Sequence, residues 1–238
     1  MRVAVLSDIH GNLPALRAVL SDLEQEDVRS VVVAGDTISG PWPVEVFDAV
    51  AALAAGVVRG NADREVLQRS TRYGPLAVWC ADRLGEARLG VAASWPLTLD
   101  LDVDGLGRVL VCHSTPSSDE PIYTRVTPDA DVLELLGDLD ADVVVSGHTH
   151  MQYDRTLAGG LRLVNPGSVG MPYEGTPGTF WAILGPDVEQ RRTDYDVAAT
   201  VESVRALAAP VDERLLDHLV EPPTSDETTA YFESLRGA

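Results

Sequence analysis

At 238 residues and 25.5 kDa, with 45% hydrophobic and 23% charged residues, the chain has the size and balance of one sizeable globular core, or of a core with a modest appendage. Thirty-seven acidic residues against eighteen basic ones set a net charge of −19, which argues against general binding to nucleic-acid polymers or anionic membranes. All eighteen basic residues are arginine, and without lysine a Walker-type phosphate loop and Schiff-base catalysis are excluded.

The longest apolar stretches, such as Val44 to Val58, are broken by Glu45, Asp48 and Gly56 and fall short of a membrane span. Met1-Arg2 runs straight into the first apolar strand, so no signal peptide is expected and the cytoplasm is the expected compartment. Cys80 and Cys112 do not amount to a disulfide framework.

The first half alternates strand and helix patterns. Val3–Ser7 reads as a buried strand, and Asn12 can cap a helix carrying Leu13, Leu16, Leu20 and Leu23, with Pro14 tolerated in its first turn. Val31–Ala34 is a second strand, Val44 to Ala54 a second helix, and Val57–Arg59 a third strand. Ala62 to about Leu84 reads as helix interrupted at Gly74-Pro75. Such alternation predicts parallel pairing with helices on the sheet faces. Past residue 95, Leu97-Leu99-Leu101-Val103 alternates as in a half-buried antiparallel strand, and Gly105 to Gly107 turns into a strand ending at His113. Thr115 to Thr127 is a long loop before a helix near Pro128–Leu136. Further strands are expected at Val143–Ser146, Gln152–Leu157, Leu161–Val164, Thr179–Leu184 and Val188–Thr193. Residues 196–238 read as helices broken at Pro222-Pro223.

Seven potential metal ligands stand at the ends of five of these strands: Asp8 and His10, Asp36, Asn61, His113, and His148 with His150. Functional crevices in α/β sheets lie beyond the carboxyl ends of strands, so five chain-distant segments would deliver them to one edge. Asp8 and His10, like His148 and His150, are two residues apart, a spacing that puts both side chains on one side of a strand. Carboxylate with imidazole suits Mn, Fe, Zn or Ni better than Ca or Mg, and no thiolate is among the ligands. Burying an unpaired carboxylate such as Asp36 after a valine run is costly, which favours a functional reason for it.

Asp8-Ile9-His10, Gly35-Asp36, Gly60-Asn61, His113-Ser114-Thr115-Pro116 and Gly147-His148-Thr149-His150 occur in the order and spacing of the calcineurin-like metallophosphoesterases. Val164-Asn165-Pro166-Gly167-Ser168-Val169-Gly170 resembles the small bacterial single-domain branch of that superfamily. The resemblance covers about residues 1–195, the expected domain, with 196–238 as a C-terminal helical extension packed on it. It implies an α/β fold, a four-layer α/β/β/α sandwich with two mixed β-sheets flanked by helices. It also implies two divalent transition-metal ions, Mn foremost, with Fe, Zn or Ni as alternatives. One ion would take Asp8, His10, Asp36 and His150, the other Asp36, Asn61, His113 and His148, with Asp36 as the bridge. Two such ions about 3.5–4 Å apart clamp a phosphate and supply a bridging hydroxide as nucleophile.

One departure bears on catalysis. The superfamily usually carries His directly after the ligand Asn, as the general acid for the leaving group; here Ala62 follows Asn61, then Asp63. General acid catalysis contributes ~10²–10⁴-fold, so the loss falls hardest on poor leaving groups. The expected substrate is therefore a small phosphodiester or nucleotide-type phosphate ester. A phosphomonoesterase, a phosphoprotein phosphatase, and a scaffold or regulatory module with a weakened site are the alternatives. Asn61, His113 and Asp63 are the catalytic candidates, with helix capping as the competing role for Asp63. Asn61, His113, Tyr123 and Arg125 are the candidates for touching substrate. His218 reads as a surface residue remote from the motifs, and Cys112 as core. Homo-oligomerisation is left open. Given the charge, no tight, salt-dependent retention of long duplex DNA is expected in a mobility-shift assay at low salt.

Overall fold

The structure, a computed structural model, describes residues 1–53 and 55–236. The chain runs β1 (Val3–Leu6), α1 (Leu13–Leu23), β2 (Ser30–Val33), α2 (Pro43–Ala52), β3 (Gly56–Val57), α3 (Asn61–Leu67), α4 (Leu76–Ala92), β4 (Thr98–Val103) and β5 (Gly107–Cys112). It continues through α5 (Asp129–Leu136), β6 (Val143–Val145), β7 (Gln152–Thr156), β8 (Arg162–Pro166), β9 (Thr179–Leu184), β10 (Val188–Thr193), α6 (Val197–Leu207), α7 (Glu213–Val220) and α8 (Ser225–Leu235). Asn12 caps α1 as expected, its side chain accepting the Ala15 N–H. Ala54, the expected end of α2, and the last two positions of the expected helical tail lie outside the described residues. The break at Gly74-Pro75 is present, but α4 also turns at Gly85, which adopts φ +70° and divides it into two helical pieces.

Among the described residues, ten strands form two five-stranded sheets, ordered β10-β9-β1-β2-β3 and β4-β5-β6-β8-β7. β1, β2 and β3 are mutually parallel, as are β5, β6 and β8, while the outer pairings are antiparallel. Both sheets are therefore mixed.

The two-residue side-chain period of a strand explains the layering. Val3, Val5 and Val32 of the first sheet meet Val109, Val111, Val143 and Val145 of the second in an apolar seam. Their neighbours Ala4, Leu6 and Val33 face the other way, onto Leu16 and Val19 of α1 and Val46 and Val50 of α2. On the far side, Cys112, Val144 and Leu163 pack on Val132 and Leu136 of α5. The result is the four-layer α/β/β/α sandwich, and the placement of Cys112 in the core follows from the same alternation. No helix among the described residues is long and apolar enough to cross a membrane.

The three C-terminal helices return to the body of the fold. Leu216 and Leu219 of α7 pack on Val201 and Val204 of α6 and on Trp42, beside the start of α2. From α8, Glu233 accepts the Thr124 hydroxyl at 2.6 Å and Thr229 contacts Met151, and Arg236, just past the helix, pairs with Asp131 of α5 at 2.8 Å.

Candidate metal centre

The loops leaving β1, β2, β5 and β6, with the start of α3 after β3, converge on one side of the sandwich. The expectation of a single sheet edge is refined here, because the ligands come from both sheets. The expectation of strand alternation is corrected. Asp8, His10, Asp36, His148 and His150 lie beyond their strands with φ of +52°, +45°, +53°, +69° and +61°. Positive φ in residues other than glycine costs on the order of 1–3 kcal/mol each and persists only where surrounding bonds hold it. Those bonds are present: Asp8 N–H donates to Gly35 O (3.0 Å), His10 N–H to Asp36 O (2.8 Å), and Gly147 N–H to His113 O (3.0 Å). Two glycines are required by close approach. A Cβ at Gly60 would overlap the Asp36 carboxylate, and one at Gly147 would overlap Ser7 and Asp8.

Asp8, His10, Asp36 and His150 place one ligand atom each within 4.8 Å of one another. His150 Nδ1 lies 2.7 Å from the Met171 carbonyl, which can only accept, so Nδ1 carries a proton and Nε2 presents its lone pair inward. That Nε2 faces Asp8 Oδ1 at 3.1 Å and His10 Nε2 at 3.2 Å. The His113 ring is held in the same way. His113 Nδ1 donates to Ala34 O at 2.8 Å, leaving Nε2 to face Asn61 Oδ1 at 2.9 Å and Asp36 Oδ2 at 3.5 Å. His148 turns its Nε2 to the Glu120 carbonyl at 3.2 Å, and its ring centroid lies 5.0 Å from that of His113. Nδ1 is thus the His148 nitrogen left for the centre.

Buried acceptors facing acceptors are repulsive unless a cation lies between them. The donor set of imidazole, carboxylate and amide oxygen, with both cysteines away from it, fits divalent transition ions. Burial lowers the pKa of His150, but Asp8 and the Met171 carbonyl overcome it and the result is raised. His113 is likewise raised, with Asp36 and Asp8 outweighing burial. For His148, burial and the neighbouring His113 push the value down to about 4, keeping that imidazole neutral. Asp8 is held well below the usual carboxylate range, because the His150 charge and hydrogen bond outweigh burial.

A second set of side chains holds the ligand loops. Asp63 is fully buried and accepts three backbone N–H groups: Thr37 (2.8 Å) and Ile38 (2.9 Å) on Oδ1, and Gly60 (3.0 Å) on Oδ2. Burial and the Asp36 charge raise its pKa to about 7, against the pull of those N–H groups. Asp63 thus takes the helix-capping role that competed with the catalytic one: it caps α3 and fastens the Asp36 loop, with both oxygens engaged by backbone amides. Asn165 donates to Gly147 O at 2.7 Å, and Ser168 to Asp8 O at 2.8 Å, so this turn braces the site by backbone bonds.

The substrate contacts expected from the long loop are not where composition placed them. Tyr123 is 3% exposed, packs in the α5 core and donates to Ser114 O at 2.8 Å. Arg125 pairs with Asp226 of α8. Asn61 lines a cavity beside His10, whereas His113, 1% exposed, lies behind it. His218 is not remote: its ring is 6.2 Å from Tyr173, which stacks on His150 at 5.0 Å and 12°. Tyr173 is the phenol at the site and was missed. Its only sequence signal was its place just after the Gly-rich turn that ends at Gly170.

The calcineurin-like phosphoesterase superfamily domain matches residues 1–185. The chain belongs to this superfamily. Among curated phosphoesterase relatives, phosphodiesterase YfcE of Escherichia coli is 27% identical over 191 residues, covering 76% of this chain and 85% of that protein. The uncharacterized protein MJ0912 of Methanocaldococcus jannaschii is 29% identical over 227 residues, covering 85% and 91%. A metallophosphoesterase structure from Sphaerobacter thermophilus superposes with a TM-score of 0.75 at 27% identity, over 93% of this chain and 98% of its own. PH1004 of Pyrococcus horikoshii shares the fold with a TM-score of 0.79 at 20% identity, over 94% and 99%.

Replacing Asp63 tests its fastening role in this phosphoesterase. Asp63→Asn turns an N–H₂ toward the Gly60 or the Thr37–Ile38 amides. An expected loss of about 1–3 kcal/mol in chemical denaturation follows, with faster release of bound metal to a chelator.

Proposed function

We propose that this protein is a binuclear metal-dependent phosphoesterase acting on small phosphodiesters or nucleotide-type phosphate esters. The observation that carries the reading is the position of one oxygen. Asp36 Oδ2 lies 3.6 Å from His10 Nε2 and 3.5 Å from His113 Nε2, which supports a single carboxylate shared between the two proposed ions. Asp8, His10, Asp36 and His150 would hold one ion, and Asp36, Asn61, His113 and His148 the other, with Mn favoured. Bound there, the ions would activate a water and neutralise charge on the phosphate.

The chain's own part is to orient and to exclude. Fixed Nδ1–H bonds hold the His113 and His150 rings with the ligand nitrogen inward. Two carboxylates facing two divalent ions leave the centre electropositive inside a protein of net charge −19, which suits a phosphoryl group. The diester preference rests on Ala62, which cannot donate a proton, and the phosphodiesterase relative YfcE supports it.

Elemental analysis of gently purified protein is expected to find two transition ions per chain, with activity abolished by a chelator and restored by Mn. Asp36→Asn should empty both positions and Asn61→Ala mainly one. A metal-replete protein with one tight ion would contradict the shared carboxylate. Leaving-group dependence tests the role of Ala62. Wild-type kcat/KM should fall steeply from aryl to alkyl leaving groups, and Ala62→His should flatten that slope by favouring alkyl esters up to ~10²-fold. Asp63 is already occupied by three amides and cannot orient the new ring, so the rescue should be partial. Equal, shallow slopes in both proteins would mean that another donor already protonates the leaving group.

A further inference from the structure

A cavity of about 460 Å³ adjoins the metal centre, within the range of ~300–1,000 Å³ typical of small-molecule sites. His10 and Asn61 belong to its wall, and so do Val204 of α6, Leu216 of α7 and Phe232 of α8. The C-terminal helices, beyond the family-matched residues, thus complete a chamber whose other wall is the phosphate site.

The chemistry of the wall restricts what can enter. No arginine lines the cavity among the described residues, and the chain has no lysine, so a second phosphate or a carboxylate would be stripped of water without a countercharge. Tyr73, Tyr173, Tyr231 and Phe232 bring aromatic rings to the wall, Tyr173 with one face already on His150, and such rings suit a planar group. Glu65 is the single carboxylate in the wall. It is 7% exposed, one oxygen lies 3.4 Å from Arg64, and the buried Oε2 has no hydrogen-bond partner. A buried acceptor without a partner calls for a donor.

We propose that this chamber receives the organic group of the substrate, that this group is a nucleoside, and that Glu65 accepts a hydrogen bond from it. The inference rests on the phosphoesterase reading and adds to it the class of ester. A nucleoside combines the features the wall asks for: no charge, a flat ring and an N–H or O–H donor. A plain acyl or alkyl chain would leave Glu65 unsatisfied.

Three esters sharing the p-nitrophenolate leaving group separate the possibilities: thymidine 5′-(p-nitrophenyl phosphate), hexyl p-nitrophenyl phosphate and methyl p-nitrophenyl phosphate. With Mn-loaded enzyme, kcat/KM for the thymidine ester should exceed both others by about tenfold or more, mainly through KM. Ala77→Phe, which fills the cavity from α4, and Glu65→Leu, which removes the acceptor, should each cut the thymidine-to-methyl ratio about fivefold or more. A ratio near one, a ratio unmoved by both variants, or preference for the hexyl ester would overturn the proposal. Calorimetric titration of chelator-treated protein with thymidine reads the chamber without catalysis. Saturable binding that Ala77→Phe abolishes is expected, and its absence from the wild type counts against the chamber. Should no ester turn over with any divalent ion, the phosphoesterase reading falls and the thymidine titration alone decides the chamber.

Discussion

The centre depends on how the Asp36 carboxylate is divided. One oxygen accepts the Ala62 N–H at 2.8 Å and so sets where α3 begins, while the other stands between His10 and His113. The Asp36 carbonyl holds the His10 amide, and the next two amides in the chain are held by Asp63. One residue thus couples the loop after β1, the loop after β2, the start of α3 and the imidazole from β5. A charge so buried is tolerable only because each oxygen has a fixed task.

Packing makes this coupling possible. Parallel strands within each sheet send their carboxyl ends the same way, and the valine seam joins the two sheets face to face. Were the sheets to separate, Asp8, His10, Asp36 and Asn61 would leave with one and His113, His148 and His150 with the other. The left-handed backbone at five of these residues then aims the side chains, and its strain is offset by the loop-to-loop amide bonds.

Much of this was legible in the chain. β-branched runs ending in Gly-Asp, Gly-Asn and Gly-His marked β2, β3 and β6, those ending in Ser-Asp and Cys-His marked β1 and β5, and the ligand types followed from the polar residues at those ends. What was not legible has a common cause: it depends on surfaces brought together from distant segments. Tyr123 read as a loop residue, yet α5 and β8 bury it. Asp63 read as a catalytic candidate or a simple helix cap, whereas the oxygen not used in the cap reaches backbone twenty-five residues earlier. His218 and Tyr173 meet only because α7 folds back over the Gly-rich turn. Gly85, one of many glycines in the chain, gave no sign that it would divide α4.

The ligand loops and the C-terminal helices are held in different ways. The ions are held by loops tied to one another through backbone amides, whereas α6, α7 and α8 meet the body of the fold through apolar contacts and a few side-chain bonds. Substitutions on the inner faces of these helices can reshape the chamber without disturbing Asp36 or its partners. The fold therefore separates two tasks along the chain: the ligand loops are fixed before residue 185, and the wall of the adjoining cavity is finished by the helices that follow.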